Sequence, residues 1–360
     1  MDSVPQMSRA AVLNEFGEAS RLHVTEVLTP VLKREDEMLV RIHATSINPL
    51  EWKMRQGMGL PPLVWRRLLG QPMILGFDFS GTVARVGRDI QGFQVGDEVM
   101  GAMPLHGTYA QYVLVRPSDG RTAVVRKPKG ISHEQAALVP FAGLVAYSGL
   151  VKYGRLQTPS PQARILVVGA SGGVGHLAVQ MARRGLGAAC VVGVCSSRNA
   201  DFVRGCGAHE VISYDRTPPE AIVSSHPDWA GRFDLIFDTI GVEAYWTEVA
   251  PKLLAPNGQF VTAALPPSRP GRPGEDVSPL GVPPLLLKLV RRHRSGRYHL
   301  IPGLLGGLPS HSGLPVIARW MEEGKVSAHP AAAFDLEQIA EAHQASEGGR
   351  TVGKLSVRVA

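Results

Sequence analysis

Apolar positions along the chain follow two rhythms. From about residue 8 to 145 they come in short β-rich runs, "EMLVRIHATSI", "SGTVARVG", "DEVMGAM" and "YAQYVLV", cut apart by Gly and Pro. Alternating strands with frequent turn signals predict a compact β-barrel-like domain. From about 163 to 310 strands alternate with helical patterns: "RILVVG", "GVGHLAVQMARRG", "AACVVGVC", "NADFVRGCG" and "EVISY". That order predicts a parallel α/β sheet. The tail from about 311 to 360 ends in "GKLSVRVA", a lone strand with no partner nearby in sequence, which is expected to return to the first domain.

The join between the first α/β strand and its helix reads "LVVGASGGVGH". "ARILVVG" is a continuous apolar run suited to a strand buried on both faces, and Val174, Leu177, Ala178 and Met181 follow at helical spacing. Gly169, Gly172 and Gly175, with Gly173 as an extra, let the chain turn sharply and let backbone N–H groups approach a pyrophosphate. A Gly-rich turn alone would be only a tight connection; the flanking βαβ unit makes it a nucleotide site.

Composition narrows the class. The chain has 360 residues, 44% hydrophobic and 19% charged, which predicts a globular protein of about two domains. A net charge of +7 suits an anionic partner, and "RRHRSGRYH" at 291–299 is the densest basic run. No aromatic-interleaved or zinc-finger pattern accompanies it, so a solvated helix end or a phosphate site is expected in place of nucleic acid. His293, His299 and His311 lack tight ligand spacing and are read as solvated or capping. Cys190, Cys195 and Cys206 form an odd, sparse set, which points to a reducing, cytoplasmic compartment, with organellar import left open. The N-terminus lacks a secretory h-region, and "GVPPLLLKLV" is too short to span a bilayer. The Pro/Gly-rich stretch at 266–279 reads as a surface loop.

Cofactor choice turns on the end of the next strand, where "VVGVC" runs into Ser196, Ser197 and Arg198. That stretch holds no acid to accept a ribose 2′-hydroxyl or repel a 2′-phosphate, while a cation and two hydroxyls are present, so NADPH is expected over NADH. The same serines also suit a cap for the helix in "RNADFVRGCG".

The stretches "SINPLEWKMRQG", "ILGFDFSGTVARVG", "VGDEVMG", "GTYAQYVLV", "ISHEQAALVPFAGLVAYSGL", "ILVVGASGGVGHLAVQMA", "CGAHEVISY" and "FDLIFDTIGV" resemble the medium-chain dehydrogenase/reductase superfamily, in its zinc-free quinone oxidoreductase and enoyl reductase branch. The resemblance runs from about 8 to 360, with the motifs in the family's order. It implies an α/β fold in which residues 1–145 and 311–360 form a GroES-like catalytic domain and 146–310 a Rossmann, doubly wound parallel-sheet domain. The branch uses an A-x-x-G-x-x-G turn, and Gly169 stands where that pattern often has Ala. Cofactor contacts are implied for Ser171, Gly172, Gly173 and Val174 in the turn, for Gly241 in "FDTIGV", and for Tyr214 against the adenosine end.

Zinc-dependent alcohol dehydrogenases of the same superfamily need Cys and His ligands early in the first domain. Asn48 and Phe77 stand at those places and no cysteine precedes Cys190, so no metal is expected. The implied reaction is hydride addition to an enone, quinone or enoyl thioester, with donors aimed at the carbonyl oxygen where charge develops. Asn48 and Lys53 in "NPLEWK" are the candidate donors, although Glu51 departs from the family's more usual Asp. Their plainer readings are a turn residue before Pro49 and a lysine lying over Trp52. The expected partner is a small-molecule substrate; monomer and homodimer are both compatible with the sequence. An NADPH-binding protein of low turnover with a structural or sensing role, or an NADP-dependent alcohol dehydrogenase, are the alternatives.

Overall fold

The computed structural model describes residues 4–57, 73–103, 107–264, 289–301 and 311–359. The loop expected over 266–279 lies outside them. The chain divides into two compact units: Met1–Leu144, Leu304–Glu322 and Ala328–Ala360 form one, and Val145–Gly303 with Glu323–Ser327 the other.

In the first unit, β1 (Met7–Leu13), β2 (Leu22–Leu28), β3 (Met38–Ile47), β4 (Met73–Ile74), β5 (Asp78–Val86), β6 (Glu98–Ala102), β7 (Tyr112–Val115) and β8 (Ala123–Arg126) pair antiparallel. β1 lies between β2 and β4, while β3, β5, β6 and β8 follow one another in a second sheet, with β7 also on β3. β3 and β5 are buried along most of their length, so their ends are well placed to hold polar groups out of water.

In the second unit, β9 (Arg164–Val168), β10 (Cys190–Cys195), β11 (Glu210–Ser213), β12 (Phe233–Asp238), β13 (Leu254–Thr262) and β14 (Tyr298–Leu300) form a parallel sheet in the order β11-β10-β9-β12-β13-β14. One face packs Leu166, Val168, Val192, Val194 and Ile236 into a core with Phe233 and Phe260. Ile165, Val167, Val191, Leu235 and Phe237, alternating with them, are also buried, which explains the unbroken apolar runs of these strands. The doubly wound α/β class expected from the sequence is thus the observed one. The helix after β9 spans Gly175–Gln180 and continues as a π-helical segment, Met181–Gly185; Leu177, Ala178 and Met181 are buried on it, whereas Val174 precedes it.

Two C-terminal strands, β15 (Pro330–Asp335) and β16 (Lys354–Arg358), rejoin the first unit, with β16 antiparallel to β3. The expected lone strand does have a close partner in sequence: β15 pairs parallel to it, inconspicuous because "PAAAF" carries little strand signal. The segment Glu323–Ser327 belongs to the second unit and is clamped there by Gln180, which donates to the Ser327 carbonyl (2.9 Å) and accepts from its N–H (3.0 Å).

Candidate functional site

The order of the parallel sheet sets the first site. β9 has β10 on one side and β12 on the other, so chain connections leave its carboxyl end in opposite directions, opening a crevice where ligands bind. The turn after β9 is shaped by two glycines. Gly169 has φ +78°, and a Cβ on it would lie 2.4 Å from Thr239 Oγ1; a Cβ on Gly175 would lie 2.1 Å from the Gly169 carbonyl oxygen. The Ala usual in the family pattern therefore does not fit at 169 in this chain. Gly172 has room, its hypothetical Cβ being 3.4 Å from the nearest atom. Gly172 N–H bonds back to Gly169, and among the described residues the N–H groups of Ser171, Gly173 and Val174 have no acceptor. These free amides, at a half-exposed turn, suit an anion.

Neighbouring strand ends contribute the rest. At the end of β12, buried Asp238 accepts from the N–H groups of Ile240 (2.9 Å) and Gly241 (3.0 Å), fixing a loop in which Gly241 has φ +90°. Burial pushes the Asp238 carboxyl up to about 6, with the Gly241 and Ile240 amides opposing. At the end of β10, Asn199 Nδ2 donates to Ser171 Oγ (3.1 Å), tying this segment to the turn. Tyr214, just past β11, is 55% exposed, and Arg198 is exposed without an ion pair among the described residues. Ser196 is 8% exposed and its buried Oγ has no hydrogen-bond partner among the described residues.

One expectation fails here. An acid does stand at this end: Asp215 accepts from both the N–H (2.9 Å) and the Oγ (2.5 Å) of Ser197. The Ser197 hydrogen bond holds this carboxyl below its usual range. The stretch directly after β10 holds no acid; Asp215 arrives from the end of β11, the adjacent strand.

Asn48 and Lys53 lie on a short helix, Pro49–Arg55, which the sequence N-P-x-E starts well: Asn48 precedes it, Pro49 sets the first φ, and Glu51 reaches back to the Asn48 N–H (2.6 Å). The Asn48 amide turns away into the core. Its Nδ2 hydrogens go to Asp78 (2.9 Å) and Glu51 (3.2 Å), and its Oδ1 accepts from Lys354 Nζ (2.6 Å). With 3% exposure and both hydrogens committed, Asn48 has no donor left for a substrate oxygen. Lys53 differs: its ammonium lies 5.4 Å from the Trp52 ring centroid, has no hydrogen bond or ion pair among the described residues, and is pushed down in pKa by burial.

Around Asn48 the structure assembles a polar network with little sequence signal. Asp78 accepts from Ser46 Oγ (2.5 Å) and Phe141 N–H (2.6 Å) and lies 3.5 Å from Lys354 Nζ. Glu51, wholly buried, also accepts from Phe77 N–H (2.9 Å) and the Tyr109 hydroxyl (2.5 Å); burial pushes it up to about 7, with the Tyr109 hydroxyl and the Asn48 N–H opposing. Arg55 Nε donates to His343 Nδ1 (3.4 Å), so the neutral ring carries its proton on Nε2, which faces Tyr109 Oη at 3.1 Å. Burial, then the Arg55 charge, pushes His343 down to about 3, consistent with a neutral ring. Donation thus runs one way, Arg55 to His343 to Tyr109 to Glu51. The readable signals were Glu51, three residues after Asn48, and Asp78 in "GFDFSG".

Phe77 stacks on Phe141 at 4.8 Å between centroids. No group of three or more His, Cys, Asp or Glu among the described residues has metal-holding geometry, and no helix there is long and apolar enough to cross a membrane. The three cysteines are buried and unpaired, with burial pushing Cys195 and Cys206 up to about 11. In the basic run, Arg292 pairs with Glu243, Arg297 caps the Gly258 and Ala255 carbonyls, and His299 bonds Gln259, so these side chains are structural clamps.

The family described as alcohol dehydrogenase GroES-like domain matches residues 34–129, and the family described as zinc-binding dehydrogenase matches residues 206–357. A Danio rerio protein named NAD(P)H oxidoreductase RTN4IP1, mitochondrial, is 32% identical over 97% of this chain and 91% of its own length. The Arabidopsis thaliana chloroplast envelope quinone oxidoreductase homolog is 29% identical, covering 98% of each chain. A solved quinone oxidoreductase from Coxiella burnetii superposes with a TM-score of 0.76 at 27% identity, over 98% of this chain and 100% of that one.

Proposed function

This chain belongs to the medium-chain dehydrogenase/reductase superfamily, in its quinone oxidoreductase-like branch, and on that premise we propose that it is an NADPH-dependent, zinc-independent reductase of activated double bonds in quinones, enones or enoyl thioesters. The observation that carries this reading is the turn at the end of β9, where two glycines with no room for a Cβ shape a turn with three amides that have no acceptor among the described residues, at a topological switch point. A pyrophosphate is the anion that such a cradle suits. In this reading Ser171, Gly172, Gly173 and Val174 hold the pyrophosphate, the Asp238-braced loop at Gly241 lies along the nucleotide, and Tyr214, Ser196, Ser197 and Arg198 form its adenosine end. Arg198, a cation without an ion pair among the described residues, favours the 2′-phosphate.

When bound, the cofactor supplies a hydride for the β-carbon of the acceptor. Lys53 is then the donor for the oxygen on which charge develops, since its ammonium is partly desolvated and has no hydrogen bond or ion pair among the described residues. Asn48 serves by position: it anchors the start of the Lys53 helix on Asp78 and Lys354. The zinc-free reading is supported by the same contacts, because Asn48 spends its amide on Asp78 and Lys354, and Phe77 stacks within the core. Unpaired, buried cysteines suit a reducing compartment, either cytoplasmic or organellar. A steady-state screen of NADPH oxidation with quinones, enones and enoyl thioesters tests the proposal; oxidation of an alcohol with NADP+ and no reduction in the screen would refute it.

A further inference from the structure

The Ser197–Asp215 contact has consequences for cofactor choice beyond the preference proposed above. Both donors of Ser197 are occupied by the Asp215 carboxylate, at 2.9 and 2.5 Å, in the segment that joins β10 to its helix. Asp215 makes this contact although Arg198, the next residue along, stands exposed and unpaired among the described residues. Alongside, the buried Ser196 Oγ has no hydrogen-bond partner among the described residues. The segment therefore offers donors suited to an anion and already holds one that the chain itself supplies.

We infer that Asp215 is an internal anion competing with the cofactor's 2′-phosphate for Ser197, and that it sets the ratio in which this chain binds NADPH and NADH. The inference rests on the nucleotide site proposed above. A 2′-phosphate reaches the Ser197 donors only by displacing the carboxylate, and it meets like charge there; the Arg198 cation compensates for it. A 2′-hydroxyl needs no displacement, because a carboxylate already bonded to Ser197 retains lone pairs to accept from it. The chain is thus a binder of both cofactors, with Arg198 and Asp215 as opposed determinants.

Calorimetric titration of the full chain with NADP+ and NAD+, and with the fragments 2′-AMP and 5′-AMP, tests this independently of turnover. Asp215→Asn should tighten NADP+ and 2′-AMP about tenfold, the effect of removing one like charge a few ångströms from a phosphate, and should not tighten NAD+. Asp215→Glu, which keeps the charge, should keep the wild-type ratio of the two cofactors within about twofold. An Asp215→Asn ratio unchanged within that margin would overturn the inference while leaving the nucleotide site standing. Failure of the wild type to bind either dinucleotide would sink the site itself.

Discussion

The Tyr109 hydroxyl donates to Glu51 Oε2 across 2.5 Å with both side chains wholly buried, which makes this pair the junction between His343 and the helix that carries Lys53. Tyr109→Phe removes the donor to Glu51 and leaves His343 Nε2–H without its acceptor. Two buried polar groups lose partners for one oxygen removed, so a loss of about 2–3 kcal/mol is expected in urea unfolding. A loss below about 0.5 kcal/mol would show that the chain of donors carries no stability.

The raised Glu51 pKa gives a pH signature. Burial lifts this carboxyl from 4.5 in the unfolded chain to about 7 in the folded one. Between those values the native state holds the extra proton, so its contribution is full below pH 4.5 and is lost as pH rises through 7. Glu51→Gln has no such titration. The variant should be less stable than the wild type at pH 5, and the gap should narrow by pH 8; a gap that stays constant across unfolding curves at both pH values would contradict the assignment.

Two glycines of the nucleotide turn should separate cleanly. Gly175→Ala drives a methyl against the Gly169 carbonyl, where 2.1 Å is available, and should cost about 2 kcal/mol or more while abolishing dinucleotide binding. Gly172→Ala meets nothing closer than 3.4 Å and should fold within about 0.5 kcal/mol of the wild type. Thermal melts of the two variants, followed by dinucleotide titration, check both statements.

The parallel sheet and its Gly-rich turn were legible because both depend on local pattern: strands buried on two faces read as unbroken apolar runs, and Gly169 and Gly175 answer steric needs within a few residues. What could not be read depends on contacts between distant segments. Lys354 meets Asn48 across 306 positions and His343 meets Tyr109 across 234, so neither pairing leaves a spacing in the sequence. Asp215 was missed for a similar reason, since it reaches Ser197 from the neighbouring strand end. Asn48 was recognisable as a special residue, but its direction was not, because only the folded chain shows Lys354 and Asp78 taking its amide.

Lys53→Ala should lower turnover on an enone or quinone about tenfold or more while leaving NADPH affinity within about twofold, because its contact would form with charge developing on the substrate. A defect confined to enoyl substrates would mark proton delivery; a uniform one would mark charge stabilisation. Wild-type rates on every acceptor would remove Lys53 from the mechanism.

The central claim is that hydride goes to the β-carbon of an activated double bond. It is tested most directly by reducing an enone with NADPH deuterated at its transferable position and locating the label in the product. The account predicts a saturated ketone with deuterium on the carbon β to the carbonyl. Deuterium on the carbonyl carbon of an allylic alcohol would contradict it.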